Sequence, residues 1–167
     1  YLPSVKIDCF LKTTIPLYKN FDREKLNKIF HEFELDENES LNKLSHGQRK
    51  KFLIAFALAS NCKIIILDEP TNGLDIPSKS IFRKVLAANT EDDQLILIST
   101  HQVKDIENIL NEVIIIDKGK IAFQSQFMDI SSKYEFITVP SLDAAENALY
   151  VEKDPMGYRV ITPTQES

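Results

Sequence analysis

Cysteine is scarce in this 167-residue sequence, with only Cys9 and Cys62 present. They lie far apart, which excludes a metal site of the usual cysteine spacing. Cys62 precedes an apolar run, so a reduced, part-buried thiol is expected, as in a cytoplasmic protein. Long hydrophobic runs are also missing, and none approaches the ~20 residues needed to span a bilayer. No cationic, apolar signal segment opens the chain. It starts at "YLPSV" without methionine, as though entered mid-protein. There is no excess of positive charge: the formal net charge is −5, so no nucleic-acid partner is expected. Glycine occurs only four times, and neither an internal repeat nor a low-complexity segment is present. What remains is 43% hydrophobic and 27% charged, the balance of a soluble globular domain with room for a small appendage.

Three short runs predict buried parallel strands: "KIIIL" (63–67), "LILIS" (95–99) and "VIIID" (113–117). Each is rich in β-branched residues without polar alternation, as when both sheet faces are covered. Between them, Ile81, Phe82, Val85 and Leu86 share one helical face, and Val103, Ile106, Ile109 and Leu110 share another. Alternating strands and helices predict an open α/β sheet. Upstream, Asp22 is placed to cap a helix carrying Leu26, Ile29, Phe30 and Phe33 at i, i+3, i+4, i+7 spacing. Downstream, "DKGK" (117–120) reads as a turn between two strand-like runs. "YEFITV" (134–139), "ALYVEK" (148–153) and "GYRVIT" (157–162) read as short strands, the last two joined by "DPMG". The expected division is a helical piece over 1–44, the α/β core over 45–124 and a small α/β or β-rich appendage over 125–167.

The chemistry-bearing residues gather at strand ends. Asp68 and Glu69 end the first strand in "IIILDEPTNGLD", and Pro70 stops it. Ligands of open α/β sheets collect outside that edge. Two adjacent carboxylates there suit a division of labour, one holding Mg²⁺ and the other orienting or deprotonating water. His101, in "LILISTH", lies just beyond the same edge, where a neutral imidazole could donate to a terminal phosphate. In "LSHGQRKKFLIAFALAS", Ser45 and Gln48 have the spacing of a helix capping box. Gly47 is not explained by capping, because glycine inside a helix costs about 1 kcal/mol relative to alanine. A helix N-terminus attracts anions through its unpaired amides, and glycine allows a phosphate close to the backbone.

Together these stretches resemble the nucleotide-binding subunits of ATP-binding-cassette (ABC) transporters. "LSHGQ" is similar to the signature motif, "IIILDEP" to the Walker B strand, "NGLD" to the D-loop and His101 to the switch histidine. "YKNFDREKL" resembles the helical subdomain of exporter-type, ABC-2-like members. The resemblance covers about residues 1–124. It implies a partial P-loop NTPase-type parallel sheet, with ATP and Mg²⁺ as cofactors. Asp68 would hold Mg²⁺ through water, Glu69 would be the general base, and His101 would contact the γ-phosphate. Asp75 would communicate across a dimer interface. Ser45, Gly47 and Gln48 would serve the ATP of a second nucleotide-binding subunit. A transmembrane permease subunit is the other implied partner, placing the protein peripherally on the inner face of the cell membrane.

Two departures accompany the resemblance. No G-x-x-x-x-G-K-[ST] occurs in the sequence, so the cradle and lysine for the β- and γ-phosphates are absent from it. The expectation is a carboxyl-terminal part of a longer subunit, inactive alone. Ser4 stands near where the family often carries glutamine or glutamate, and a serine is too short to reach a metal in the same way. Two other readings compete: a soluble ABC ATPase of translation or DNA maintenance, and a non-catalytic module completing a partner's ATP site. Against the soluble reading stand Gly73, where translation-type relatives usually carry histidine, and the lack of long coiled coils.

Overall fold

The computed structural model describes residues 4–141 and 148–164. The first three residues of "YLPSV" lie outside them. The described residues fall into two compact units, divided between Ile109 and Leu110. Residues 110–124 fall in the second of these units.

In the first unit, α1 (Ile7–Thr14) and α2 (Arg23–Phe33) form the helical piece, with short 3₁₀ turns at Ile15–Leu17 and Leu41–Lys43. Asp22 caps α2 as expected, its side chain accepting from the Lys25 amide at 2.9 Å. The four spaced apolar residues Leu26, Ile29, Phe30 and Phe33 are all buried. The same Asp22 donates its amide to the Ala59 carbonyl at 2.8 Å, tying the start of α2 to the end of α3 (His46–Ala59). Phe52 on α3 is fully buried and meets Phe10 and Phe30 edge-on, with centroids 5.8 and 6.2 Å away. Lys25 is buried too, but Asn61 and Glu91 receive its ammonium at 2.9 and 3.2 Å, which meets the cost of desolvating it.

Strands β1 (Ile64–Asp68) and β2 (Leu95–Ser99) pair in parallel, joined by α4 (Ile76–Asn89). Their register sets Asp68 opposite Ser99, which fixes the edge discussed below. Burial on both faces, expected from their composition, is not found. Ile65 and Leu67 are buried, whereas Ile64 and Ile66 are 61% and 70% exposed and Leu95 and Leu97 at least half exposed. Side chains alternate across a strand, and among the described residues only one face of this pair is covered. Cys62 is likewise exposed rather than part-buried, in the segment entering β1. A cavity of about 510 Å³, lined in part by Leu53, Phe56, Ile64 and Ile66, lies between α3 and β1.

Two expectations fail around residue 110. The amphipathic helix over 103–110 is replaced by two 3₁₀ turns, Val103–Asp105 and Glu107–Ile109. Arg83 takes the Asp105 carbonyl at 2.9 Å, an acceptor that an α-helix would offer to the Ile109 amide. The third strand does not join the parallel pair. In the second unit β3 (Glu112–Asp117) pairs antiparallel with β4 (Lys120–Gln126). Lys118 and Gly119 both have positive φ, and a two-residue turn of that kind can join only antiparallel strands. The turn reading of "DKGK" thus holds while the parallel pairing does not. Beyond α5 (Phe127–Lys133), β5 (Tyr134–Val139), β6 (Tyr150–Asp154) and β7 (Gly157–Pro163) form an antiparallel sheet of order β5-β7-β6. The appendage is β-rich as expected, and "DPMG" makes its hairpin turn.

Candidate functional site

The register of β1 with β2 delivers Thr100 and His101 to Glu69. Where the strands end, the Glu69 amide donates to the Ser99 carbonyl at 2.9 Å. Its carboxylate then accepts from the Thr100 hydroxyl at 3.1 Å on Oε2 and from the His101 amide at 3.0 Å on Oε1. The His101 ring closes on the same oxygen, Nδ1 to Oε1, at 2.6 Å. That ring holds the Glu69 carboxyl below the usual carboxylate range; burial pushes the other way, and Thr100 and the His101 amide add to the lowering. Glu69 is therefore ionised at neutral pH, and three of its about four acceptor positions are used. The remaining one, on Oε2, can accept from a water. Asp68, exposed beside it, receives the Ser99 hydroxyl on Oδ1, and its Oδ2 takes no hydrogen bond from the described residues.

Glu69 is held in this pose against its own backbone preference. Its φ of 44° is left-handed, a conformation costing of order 1–3 kcal/mol for a non-glycine residue. The Ser99 contact, the carboxylate contacts and a hydrogen bond from Lys50 Nζ to the Glu69 carbonyl together fix it. Lys50 belongs to α3, so the "LSHGQ" helix and the "DEP" turn are directly connected. Neither Lys50 nor Thr100 was singled out by the sequence, because nothing in their spacing marks them.

At the start of α3 the capping box forms in full. Ser45 Oγ accepts from the Gln48 amide at 3.2 Å, and Gln48 Oε1 accepts from the Ser45 amide at 2.9 Å. Both side chains are thus engaged locally, while the Ser45 hydroxyl hydrogen stays available to an outside acceptor. Gly47 lies against the turn that follows Glu69. A Cβ placed on it would stand 3.6 Å from the Gly73 carbonyl and 3.7 Å from Leu74 Cδ2, ordinary contact distances. Packing within the chain does not demand glycine here. Gly73 is different: its φ is +80°, and a Cβ there would meet His46 Cδ2 at 2.8 Å. The imidazole of His46 therefore occupies space that only a glycine at 73 leaves open. Asp75 caps α4, accepting from the Ser78 amide at 2.9 Å, and the Ser78 contacts lower its carboxyl.

The sequence-derived residues thus fall into two groups. Asp68, Glu69 and His101 meet at one sheet edge; Ser45, Gly47 and Gln48 open the helix whose first turn rests on Gly73 and Leu74. Ser4 accepts from Asn42 Nδ2 at 3.1 Å. Among the described residues, no group of three or more His, Cys, Asp and Glu side chains is placed to hold a metal ion. The exposed carboxylate of Asp68 fits a Mg²⁺ that draws its other ligands from water and phosphate.

The chain is similar to known proteins in sequence and in fold. The family described as "AAA domain, putative AbiEii toxin, Type IV TA system" matches residues 4–104. An ABC transporter ATP-binding protein of Methanocaldococcus jannaschii is 33% identical over 97 residues, 58% of this chain and 37% of that protein. The ABC transporter ATP-binding protein NatA of Bacillus subtilis is 35% identical over 98 residues, 59% of this chain and 39% of that protein. The chain thus spans about two fifths of the length of these curated relatives. The solved structure of an ATP-binding subunit of an ABC transporter superposes with a TM-score of 0.69 at 21% identity, covering 78% of this chain and 57% of that one. With more than half of its length matched, the chain belongs to this AAA-domain family and has the fold of the ABC-transporter ATP-binding subunits.

Proposed function

We propose that the chain is part of an ATP-binding and ATP-hydrolysing subunit that energises a membrane transporter. One observation carries the reading: an ionised Glu69, held at the sheet edge by Thr100 and His101, stands next to an exposed Asp68. In this reading Glu69 orients and deprotonates the attacking water through Oε2, and His101 faces the terminal phosphate. Asp68 would hold Mg²⁺, which when bound neutralises phosphate charge. Ser45, Gly47 and Gln48 serve the nucleotide of a second subunit, and Asp75 lies at that contact. The assembly works with a transmembrane permease at the inner face of the cell membrane. Among the described residues, no helix is long and apolar enough to cross a membrane.

The 167 residues contain no glycine-rich phosphate loop with its lysine, so this polypeptide alone turns over ATP negligibly. The test is a steady-state phosphate-release assay with MgATP. Saturable turnover by this chain, lost in Glu69→Gln, would overturn the inactivity. The soluble and non-catalytic alternatives predict no stimulation by a co-expressed permease, which separates them from the transport reading.

A further inference from the structure

The turn after β2 holds polar side chains that the proposed reaction does not use. Lys79, on α4, lies 3.0 Å from Gln102 Oε1 and 2.7 Å from Asp105 Oδ2. Both charged side chains are about four-fifths buried, at 21% and 18% exposure. Burial pushes the Asp105 carboxyl up, but Lys79 and Thr71, with the charge of Arg83, bring it below its ordinary value. The pair anchors the Lys79 side chain beside Gln102. An ammonium only donates, so the Gln102 atom facing it is the carboxamide oxygen. This turns the Gln102 NH₂ towards His101, 3.4 Å from Nε2.

The consequences for His101 follow from donor and acceptor counting. An amide NH₂ only donates, so Nε2 of a neutral ring must be bare to receive it. On the other side, the Glu69 carboxylate only accepts, and it lies 2.6 Å from Nδ1. Two partners on opposite sides of the ring impose the same tautomer. We propose that Lys79 and Gln102 are positioning residues for His101, holding its neutral ring as the Nδ1–H tautomer aimed at Glu69, with Nε2 covered by the Gln102 amide. The functional meaning rests on the ATP-site reading above. A phosphate oxygen, itself an acceptor, can engage Nε2 only after that nitrogen gains a proton from solvent and the Gln102 amide moves aside. A neutral His101 thus has no N–H for a phosphate, which refines the expectation drawn from its position in the sequence.

The experiment reads ring nitrogens by ¹⁵N NMR in the full 167-residue chain without nucleotide. Spectra are taken at about pH 8.5, where ordinary imidazoles are neutral. His31→Gln and His46→Gln assign the other two histidines. The expected spectrum has a pyrrole-like Nδ1 and a pyridine-like Nε2 for His101, the latter displaced upfield by its hydrogen bond. Gln102→Leu and Lys79→Ala move that Nε2 resonance downfield to the unbonded position, and Lys79→Arg restores it. An Nε2–H tautomer in the wild type, or an Nε2 resonance unmoved in Gln102→Leu, overturns the proposal. Gln102→Leu keeps the Lys79–Asp105 pair, so it decides the matter even where Lys79→Ala fails to fold. Because no nucleotide is present, the result stands apart from any failure of the ATPase reading, which the turnover assay judges separately.

Discussion

Replacing Gly47 by alanine separates what the fold needs from what a ligand needs. The residue is second in α3, with a helical backbone, and the added methyl would sit at 3.6 and 3.7 Å from its nearest neighbours. No strain is introduced, so the intrinsic preference of a helix for alanine decides the sign. That preference is about 1 kcal/mol in a helix interior, and about half of it, near 0.5 kcal/mol, is expected in the first turn. For a chain of this size the gain corresponds to a rise in melting temperature of about 1–2 °C. Urea denaturation followed by circular dichroism should show a higher midpoint with an unchanged slope. In the ATP-site reading proposed above, the same methyl would stand where a phosphate approaches the helix amides, so turnover of the assembled subunit should fall while stability rises. A Gly47→Ala chain that is less stable than wild type would refute the reasoning, because glycine would then be serving the fold.

Gly73→Ala should behave oppositely, losing about 1–2 kcal/mol from its left-handed backbone, with a further loss from His46. Adding His46→Ala should recover only the second part, which a double-mutant cycle in urea would measure. Asp22→Ala removes the cap of α2 and should cost about 1 kcal/mol. His101→Ala should raise the Glu69 carboxyl back towards its ordinary value, followed by ¹³C NMR of that carboxyl. Since Glu69 is depressed in the folded chain, its stabilising contribution is present above the unfolded value and is lost as pH falls through the folded one. His101→Ala should therefore flatten that part of the acid-stability profile.

How much of this was legible in the sequence depended on whether a feature is local. Asp22, the Ser45–Gln48 box and the "DKGK" and "DPMG" turns are settled within four or five residues, and each forms as read. The edge carrying Asp68, Glu69 and His101 was legible because parallel strands place their carboxyl ends together. The exposed faces of Ile64 and Ile66 were not, since a β-branched run looks the same whichever sides are covered. The turns at 103–109 escaped for a related reason: Arg83, two elements earlier, removes a carbonyl that a helical pattern presumes. Lys79 and Gln102 become visible only once α4 and the segment after β2 are set side by side. The pairing of His46 with Gly73 has the same character, joining two motifs whose individual patterns give no sign of it.

The central claim is that the Asp68, Glu69 and His101 edge is the hydrolytic half of an ATP site. It is tested most directly by ATP turnover of the protein made from the whole reading frame encoding these residues, compared with its Glu69→Gln variant. The account predicts Mg²⁺-dependent hydrolysis in the first, and tight ATP binding with turnover lowered at least about 100-fold in the second. Turnover unchanged by Glu69→Gln would contradict it.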